Sequence, residues 1–396
     1  MPYALGAVYF IFCVVSTSSP PEEGVVDVTV VVNELGDTPF GFSNTPENTN
    51  VLTPLLSGPD VVKYDTSIRE LFSNFLLYFN SDATNEVREL VKSRTIWDQF
   101  VEGNYKTAEP GLIFWSTMSD YSPSNYVGRP IVSTNPCAEV PLEDGGACNL
   151  GSLNLSRFVI DGYQNNARIN WDQLAESSQL LVRFLDNVVD YNMDRHALED
   201  QKQNAMNDRR VGLGILGLGD MLVRLGIQYD SEDALQTVDQ IMQIFRDTTY
   251  ETSVNLAIEK GKYPNFDWSG YSKSKFVKNL PKSLQGKIKR HGIRNCTLTT
   301  VAPTGSGAIV SRVTSGVEPI FATSYKRRVK ENDGYGKTFK EYTVYHPIIE
   351  KLFGTDEDLP EYVVTSHNID PYFRVRMQGT IQKYICLLYT SDAADE

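Results

Sequence analysis

Residues 149–313 alternate between short apolar runs and longer amphipathic stretches, and this alternation is the strongest constraint on the fold. Residues 171–193 and 230–260 repeat apolar side chains at helical spacing, which predicts two long helices. Residues 149–159 and 297–301 are short apolar segments, which is typical of strands. Strands that alternate with helices along the chain favour an α/β fold.

Several helix boundaries can also be predicted. Ser231 is a suitable N-cap for the second long helix, and Gly261 is a suitable residue just after its end. Residues 67–79 and 85–103 also carry apolar side chains at helical spacing, so we expect two helices there. No internal repeat is visible.

The charge balance excludes some classes of function. The chain has 396 residues, with 37 Lys and Arg against 50 Asp and Glu, so its formal charge is −13. An acidic surface argues against direct binding to nucleic acid or to anionic membranes, because both need basic patches. The most apolar stretch, residues 3–15, is too short for a spanning helix of about 20 residues. We therefore expect a cytoplasmic protein.

Cysteine and histidine usage points away from a disulfide scaffold and from a local metal site. Five cysteines in 396 residues are too few and odd in number for a secreted miniprotein. The four histidines share no spacing of three or four residues, so we expect no histidine-based metal centre.

The two ends of the chain differ from the middle. Residues 1–60 are left unassigned, as a segment that is either non-native or disordered. Residues 386–396 continue neither a helical nor a strand pattern and resemble the translation of a sequencing adapter. We therefore expect a non-biological tail that includes Cys386, and a separate region over residues 61–385 that contains the candidate motifs.

The first candidate site is the motif Asn-Pro-Cys-Ala-Glu at residues 135–139. If this segment is extended, Asn135, Cys137 and Glu139 lie on one face, because side chains alternate along a strand. A carboxylate can accept a proton, an amide can orient an oxygen, and a thiol can act as nucleophile or radical carrier. Cys148 follows eleven residues after Cys137, without the short paired spacing of zinc ligands. The alternative is an Asn-Pro turn with a buried cysteine that packs as a small apolar residue.

Two glycine-rich segments have different meanings. Residues 302–308 follow a predicted strand and offer backbone N–H groups and two hydroxyls, which suits an anion, although a tight turn is the alternative. The segment lacks the lysine of a Walker P-loop. Gly212, Gly214 and Gly217 match the dinucleotide pattern, but the residues before Gly212 are polar rather than strand-like. We therefore expect these glycines to permit close helix packing. A nicotinamide dehydrogenase would also need an acidic residue near position 232 to bind the ribose. Glu232 is available, but the lack of a strand before Gly212 argues against this function.

Taken together, these motifs resemble the large catalytic subunit of ribonucleotide reductases. The likeness is greatest to the adenosylcobalamin-dependent (class II) branch, and it runs from about residue 108 to residue 385. Ala138 stands where that family usually has glycine, and Ser306 and Gly307 stand where Thr-Ile is common. The segments that carry the resemblance are 135–139, 147–155, 209–220, 302–319 and 371–385.

The resemblance implies a role for each candidate residue. Cys137 would carry the thiyl radical on a finger loop, Glu139 would accept the 3′-hydroxyl proton and Asn135 would orient that hydroxyl. Cys148 would be one of two thiols that reduce the 2′ position and end as a disulfide. The residues implied to contact substrate are Asn135, Pro136, Cys137, Ala138, Glu139, Pro303, Thr304, Gly305, Ser306 and Gly307.

The same resemblance implies a fold, a cofactor and partners. The fold would be an incomplete ten-stranded α/β barrel, and the cofactor would be adenosylcobalamin (vitamin B12). The substrate would be a ribonucleoside di- or triphosphate. Deoxyribonucleoside triphosphates and ATP would be effectors of the full-length enzyme, a thioredoxin-like protein would be the reductant, and a homodimer is compatible with this reading.

Some parts of the family pattern are missing. Only Cys13 precedes Cys137, and its surroundings do not match those of the upstream reducing cysteine, so we do not assign that role to it. We therefore expect that this chain alone does not complete turnover. The alternatives are a class I large subunit with a radical-generating partner, a cysteine-nucleophile hydrolase and a catalytically dead fragment.

Overall fold

A computed structural model describes residues 9–17, 26–34, 74–81, 85–107, 111–113, 115–332, 337–386 and 390–391. Within these ranges the strands are β1 (Tyr9–Thr17), β2 (Val26–Glu34), β3 (Asn74–Ser81), β4 (Asn85–Lys92), β5 (Leu112–Ile113), β6 (Ile131–Thr134), β7 (Pro141–Glu143), β8 (Asn149–Asn154), β9 (Val159–Ile160), β10 (Arg168–Ile169), β11 (Val211–Leu216), β12 (Ser324–Asn332), β13 (Lys337–Tyr345) and β14 (Thr390–Ser391). The helices are α1 (Ser93–Thr107), α2 (Trp115–Tyr121), α3 (Trp171–Asn192), α4 (Glu199–Asp208), α5 (Leu218–Leu225), α6 (Glu232–Lys260), α7 (Trp268–Tyr271), α8 (Lys275–Asn279), α9 (Lys282–His291), α10 (Gly305–Ser311), α11 (Pro347–Phe353) and α12 (Pro371–Gln382).

The chain divides into two units, of which the first comprises residues 1–120 and 389–396. Its main sheet has the order β14-β5-β1-β2, in which β1 pairs with β2 antiparallel and with β5 parallel. A separate antiparallel hairpin is formed by β3 and β4. This unit contains none of the predicted site residues.

The second unit, residues 121–388, is built around parallel strands. β8 pairs in parallel with β11, and Val211 lies opposite Asn149 in this register. Residues 297–301, which we call the 297–301 segment, run along the other side of β11. The N–H of Leu213 donates to the carbonyl of Leu298 over 2.6 Å, and the N–H of Thr300 donates to the carbonyl of Leu213 over 2.8 Å. β11 therefore lies between β8 on one side and the 297–301 segment on the other.

Two long helices cover this parallel arrangement and bury its core. α3 and α6 pack against each other, and α3 also contacts β8 and β11. Every residue of β11 is buried, which is typical of a central parallel strand covered on both faces. The hydrophobic core includes Leu174 and Val182 of α3 and Phe245 of α6. The α/β expectation is confirmed, whereas the described residues do not close into a barrel.

The helix boundaries in this unit agree with the sequence. α3 occupies nearly all of the predicted 171–193 range, and α6 covers 232–260. Ser231 caps α6, because its hydroxyl accepts a hydrogen bond from the N–H of Ala234 over 3.1 Å. Gly261 follows the helix with φ +89°, a conformation that favours glycine.

The helix predictions nearer the N-terminus are largely wrong. Residues 74–79 belong to β3 and residues 85–92 to β4, while only residues 93–107 are helical. Residues 67–73 lie outside the described ranges. The physical reason is that a short apolar run such as Phe75–Phe79 fits either period, and cross-strand pairing with β4 decided for the strand.

The end of the second unit includes Cys386, which the sequence assigned to a non-biological tail. This residue is buried, and its N–H donates to the hydroxyl of Thr299 over 3.2 Å. The origin of residues 386–396 stays a prediction, and most of them lie outside the described ranges. Among the described residues, no helix is long and apolar enough to cross a membrane.

Candidate active site

Residues 135–140, which we call the cysteine loop, connect β6 to β7. The loop is closed at its base, where the N–H of Val140 donates to Oδ1 of Asn135 over 2.9 Å and the N–H of Asn135 donates to the carbonyl of Val140 over 3.1 Å. The N–H of Ala138 donates to the carbonyl of Asn135 over 2.9 Å. The side chain of Asn135 thus fixes the loop that carries Cys137.

The conformation of the cysteine loop agrees with only part of one sequence interpretation. The segment is a turn rather than an extended strand, so Cys137 is exposed while Glu139 is only 3% exposed, and the predicted shared face is wrong. The alternative is confirmed for its Asn-Pro turn, but it is wrong for the buried cysteine, because Cys137 is exposed. Ala138 has φ +62°, in the left-handed region that normally favours glycine.

Glu139 is connected to the parallel strands through its backbone. The hydroxyl of Thr300, in the 297–301 segment, donates to the carbonyl oxygen of Glu139 over 2.9 Å. Both residues are buried. The cysteine loop is therefore fixed to the same segment that leads into the glycine-rich turn.

Cys148 lies directly before β8 and is half-buried. Its sulfur would be only 3.1 Å from a Cβ placed on Gly212 of β11, so the thiol packs closely against this glycine. Burial raises the pKa of the Cys148 thiol to about 12; the Arg210 guanidinium opposes this rise, and the Cys386, Glu139 and Glu143 groups add to it. The Glu139 carboxylate is thus close enough to Cys148 to influence the pKa of its thiol.

The glycine-rich turn, residues 303–307, begins α10. Thr304 has φ +58°, and its hydroxyl accepts a hydrogen bond from the N–H of Gly316 over 2.8 Å. Gly305, Ser306 and Gly307 are exposed, and a Cβ at Gly305 or Gly307 would meet open space. The turn therefore presents backbone toward a region with room for a ligand.

Two of the three glycines of the dinucleotide pattern have a different role from the one expected. Gly212 and Gly214 lie inside β11, so the prediction of close helix packing is wrong for them. A Cβ on Gly212 would lie 2.8 Å from Cγ2 of Thr300, and one on Gly214 would lie 3.0 Å from the carbonyl oxygen of Thr300. These glycines permit close packing between neighbouring strands. Glu232 forms an exposed ion pair with Arg376.

A buried ion pair behind Cys148 was not predicted. Arg210 and Glu143 are 2% and 3% exposed, and the guanidinium Nη2 donates to Oε2 of Glu143. Burial by itself would raise the pKa of Glu143, but the adjacent Arg210 guanidinium holds this pKa below its usual value. No sequence pattern predicts the pair, because the two residues are 67 positions apart.

A second unpredicted cluster supports the glycine-rich turn from behind. The buried carboxylate of Asp220 accepts a hydrogen bond from the N–H of Thr314 over 2.7 Å, and the hydroxyl of Thr314 accepts one from the N–H of Gly219 over 3.1 Å. Two residues later, Gly316 holds Thr304. Asp220 therefore reaches the turn through a chain of hydrogen bonds.

Comparison with known proteins shows to which family the chain belongs. The sequence profile of the family described as "Ribonucleotide reductase, barrel domain" matches residues 56–387. The chain belongs to the ribonucleotide reductase family. The resemblance seen in the sequence motifs is therefore confirmed, and every predicted site residue lies inside the matched region of the family.

Two relatives in the family are named after the cofactor on which they depend. The chain is 35% identical over 317 residues to a "Vitamin B12-dependent ribonucleoside-diphosphate reductase" of Thermoplasma acidophilum, which covers 76% of this chain and 38% of the relative. A protein of the same name from Mycobacterium tuberculosis is 30% identical over 345 residues, covering 81% of this chain and 45% of the relative. A "Ribonucleoside-diphosphate reductase subunit alpha" of Synechocystis is 28% identical over 282 residues, 66% of this chain and 33% of the relative. The chain thus spans less than half the length of these relatives.

Proposed function

We propose that this chain is part of a catalytic subunit that reduces ribonucleotides to 2′-deoxyribonucleotides by a thiyl-radical mechanism. The observation that carries the proposal is the exposed Cys137 on a loop fixed by hydrogen bonds at its base and at Glu139. A radical-bearing sulfur must be reachable by both the radical source and the substrate. A loop with a defined conformation holds it in one place, which favours reaction over loss of the radical.

The proposed roles follow the chemistry of each residue. Cys137 takes the hydrogen atom from the 3′ carbon of the ribose, and Glu139 accepts the proton of the 3′-hydroxyl. The Asn135 amide orients that hydroxyl. Cys148 supplies one of the two reducing thiols, and the half-buried position beside Glu139 supports this assignment. Pro136 and Ala138 complete the substrate-facing loop.

The glycine-rich turn is the proposed site for the substrate phosphates. Backbone N–H groups at Gly305, Ser306 and Gly307 need no side-chain cation to bind an anion, and the open space beside the two glycines accommodates a phosphate. Pro303 and Thr304 set the conformation of the turn. The substrate is a ribonucleoside di- or triphosphate.

Adenosylcobalamin is the proposed radical source, and the residues present fit this cofactor in one respect. The Cys137 thiol is exposed, so a bulky group can approach its S–H bond. When bound, the cofactor supplies a carbon-centred radical able to take a hydrogen atom from a thiol. The B12-dependent names of two relatives support this choice over a class I arrangement with a radical-generating partner protein.

The finer architecture is part of the same proposal. β8, β11 and the 297–301 segment are three neighbouring strands of a ten-stranded α/β barrel, and the cysteine loop is its finger loop. In the full-length enzyme, deoxyribonucleoside triphosphates and ATP act as effectors, a thioredoxin-like protein is the reductant, and the subunits form a homodimer. The family profile supports the barrel by its description.

Hydrogen-atom abstraction can be tested without complete turnover. The chain is incubated with adenosylcobalamin and a ribonucleotide tritiated at the 3′ carbon, and tritium released into water is counted. We expect release by the unaltered chain and by a Cys296→Ser control, but none by Cys137→Ser. If the unaltered chain releases no more tritium than the background, the proposed function is overturned. If tritium is released without adenosylcobalamin, the choice of cofactor is overturned.

A further inference from the structure

The buried ion pair of Arg210 and Glu143 lies next to Cys148 because of the strand register. Val211 is opposite Asn149 and Gly212 is opposite Leu150 in the parallel pair of β11 and β8. Continuing this register by one residue places Arg210 opposite Cys148. Residues two apart on a strand share a face, so Arg210 lies on the same face as Gly212, whose Cβ position is 3.1 Å from the Cys148 sulfur.

The Arg210 guanidinium is fixed from several sides. Its Nη1 donates to the hydroxyl of Thr297 over 2.9 Å, and its Nη2 donates to Glu143. Its Nε is buried and has no hydrogen-bond acceptor within the described ranges. The cation is therefore held immobile by the protein and keeps one N–H donor for an anion that forms nearby.

We propose that Arg210, held by Glu143 and Thr297, is a positioning residue that stabilises the thiolate form of Cys148. Thiolates rather than thiols attack in thiol–disulfide exchange, so a cation close to a half-buried reducing cysteine favours its reactive form. Only the redox role of Cys148 rests on the proposed function. The electrostatic pairing itself can be tested without any nucleotide chemistry.

The surrounding charges determine whether each neighbouring group raises or lowers the pKa of the Cys148 thiol. Burial raises the pKa of the Cys148 thiol, Arg210 lowers it, and the neighbouring Cys386, Glu139 and Glu143 groups raise it. Glu143 therefore has two opposite effects: it holds Arg210 in place, but its own negative charge disfavours the thiolate. Glu143→Gln keeps an oxygen that can accept from the Arg210 guanidinium but removes the negative charge, so it should change the reactivity of Cys148 in the direction opposite to Arg210→Gln.

The experiment measures alkylation of Cys148 by iodoacetamide, in which the thiolate displaces iodide and a carbon–sulfur bond forms. Peptide mass spectrometry follows the peptide that contains Cys148, so the other cysteines need not be substituted. At pH 9, we expect Arg210→Gln to slow the reaction about tenfold, which corresponds to one pKa unit. We expect Glu143→Gln to accelerate it by several fold, and Arg210→Lys to leave it within about threefold of the unaltered chain.

Arg209 provides a matched control. It is as buried as Arg210, at 2% exposure, and it also pairs with a buried carboxylate, since its Nη2 is 2.8 Å from Oδ1 of Asp186. Arg209→Gln should destabilise the fold without slowing alkylation of Cys148. An equal slowing in both variants, or an unchanged rate in a natively folded Arg210→Gln, would overturn the inference.

Loss of structure leads to a different result from loss of the cation. An unfolded chain exposes Cys148 and alkylates faster, whereas the inference requires a slower reaction in Arg210→Gln. If circular dichroism shows that Arg210→Gln is unfolded, Glu143→Gln decides, because a rate that does not rise in this variant contradicts the role of the pair. Absence of nucleotide reduction in the unaltered chain leaves these rates unaffected, so the two proposals fail separately.

Discussion

The hydroxyl of Thr300 donates a hydrogen bond over 2.9 Å to the backbone carbonyl of Glu139, a residue 161 positions earlier in the chain. This bond links the cysteine loop to the strand segment that leads into the glycine-rich turn. A bond between elements so far apart in sequence holds the proposed radical cysteine in a fixed relation to the proposed phosphate site.

Replacing Thr300 with valine tests this link. Thr300→Val keeps the side-chain shape but leaves the Glu139 carbonyl without its donor, so we expect unfolding free energy to fall by about 1–2 kcal/mol. Urea denaturation measures the change. Thr249→Val is the control, because the buried Thr249 hydroxyl has no partner among the described residues and its loss should be neutral or stabilising. Equal destabilisation of both variants would contradict the role of the bond.

Replacing Ala138 with glycine tests the strain in the cysteine loop. Ala138 has φ +62°, where a Cβ is unfavourable by about 1–2 kcal/mol. Ala138→Gly should therefore raise the unfolding free energy by up to about 1 kcal/mol, after the added freedom of the unfolded chain is subtracted. Ala257→Gly, in the interior of α6, should lower it by about 1 kcal/mol. A loss of stability in Ala138→Gly would contradict the left-handed conformation.

Alanine at the glycine-rich turn should separate stability from binding. Gly305 and Gly307 lie in α10 with open space beside them, so alanine there should stabilise the helix by up to about 1 kcal/mol. The new methyl group would nevertheless stand where the substrate phosphate is proposed, and we expect nucleotide affinity to fall at least about fivefold, or about 1 kcal/mol. Gly286→Ala, at an exposed position of α9, is the control and should not alter binding. Unchanged affinity in Gly305→Ala, measured by equilibrium dialysis, would argue against the phosphate site.

Gly212 allows β11 to approach Cys148 and Thr300 closely. A Cβ at this position would lie 2.5 Å from Cδ2 of Leu150 and 2.8 Å from Cγ2 of Thr300. Gly212→Ala should therefore lower the unfolding free energy by about 1–3 kcal/mol, which is typical of overpacking. Gly379→Ala, which meets open space in α12, should be neutral or stabilising. Chemical denaturation measures the unfolding free energy of both variants. If Gly212→Ala were at least as stable as Gly379→Ala, the strands would be spaced more loosely than described.

His346 should make stability sensitive to pH. Burial lowers the pKa of His346 below its usual value of 6.5, although the nearby Asp220 carboxylate opposes this effect. Because the folded-state pKa is lowered, the unfolded chain binds the proton first, and stability present above pH 6.5 is lost as the pH falls toward the folded-state pKa. We expect the denaturation midpoint of the unaltered chain to fall more between pH 7.5 and 5.5 than that of His346→Gln. Parallel profiles would show that His346 does not contribute.

The sequence determined the parts of this protein that depend on local pattern. The apolar repeat of residues 171–193 fixed α3, and the Ser231 and Gly261 caps fixed both ends of α6, because helix boundaries depend on neighbouring residues. The order of the motifs also identified the family, which the profile over residues 56–387 confirmed. Composition and spacing do not encode which of these motifs touch.

Only the tertiary structure decided how the site is assembled. Pairing with β4 placed residues 74–79 in a strand, and the turn of the cysteine loop separated the exposed Cys137 from the buried Glu139. The pairing of Arg210 with Glu143 joins residues distant in sequence, and their charges can be buried only because folding brings them together. Such long-range contacts leave no periodic trace in the chain, since each partner alone looks like an ordinary polar residue.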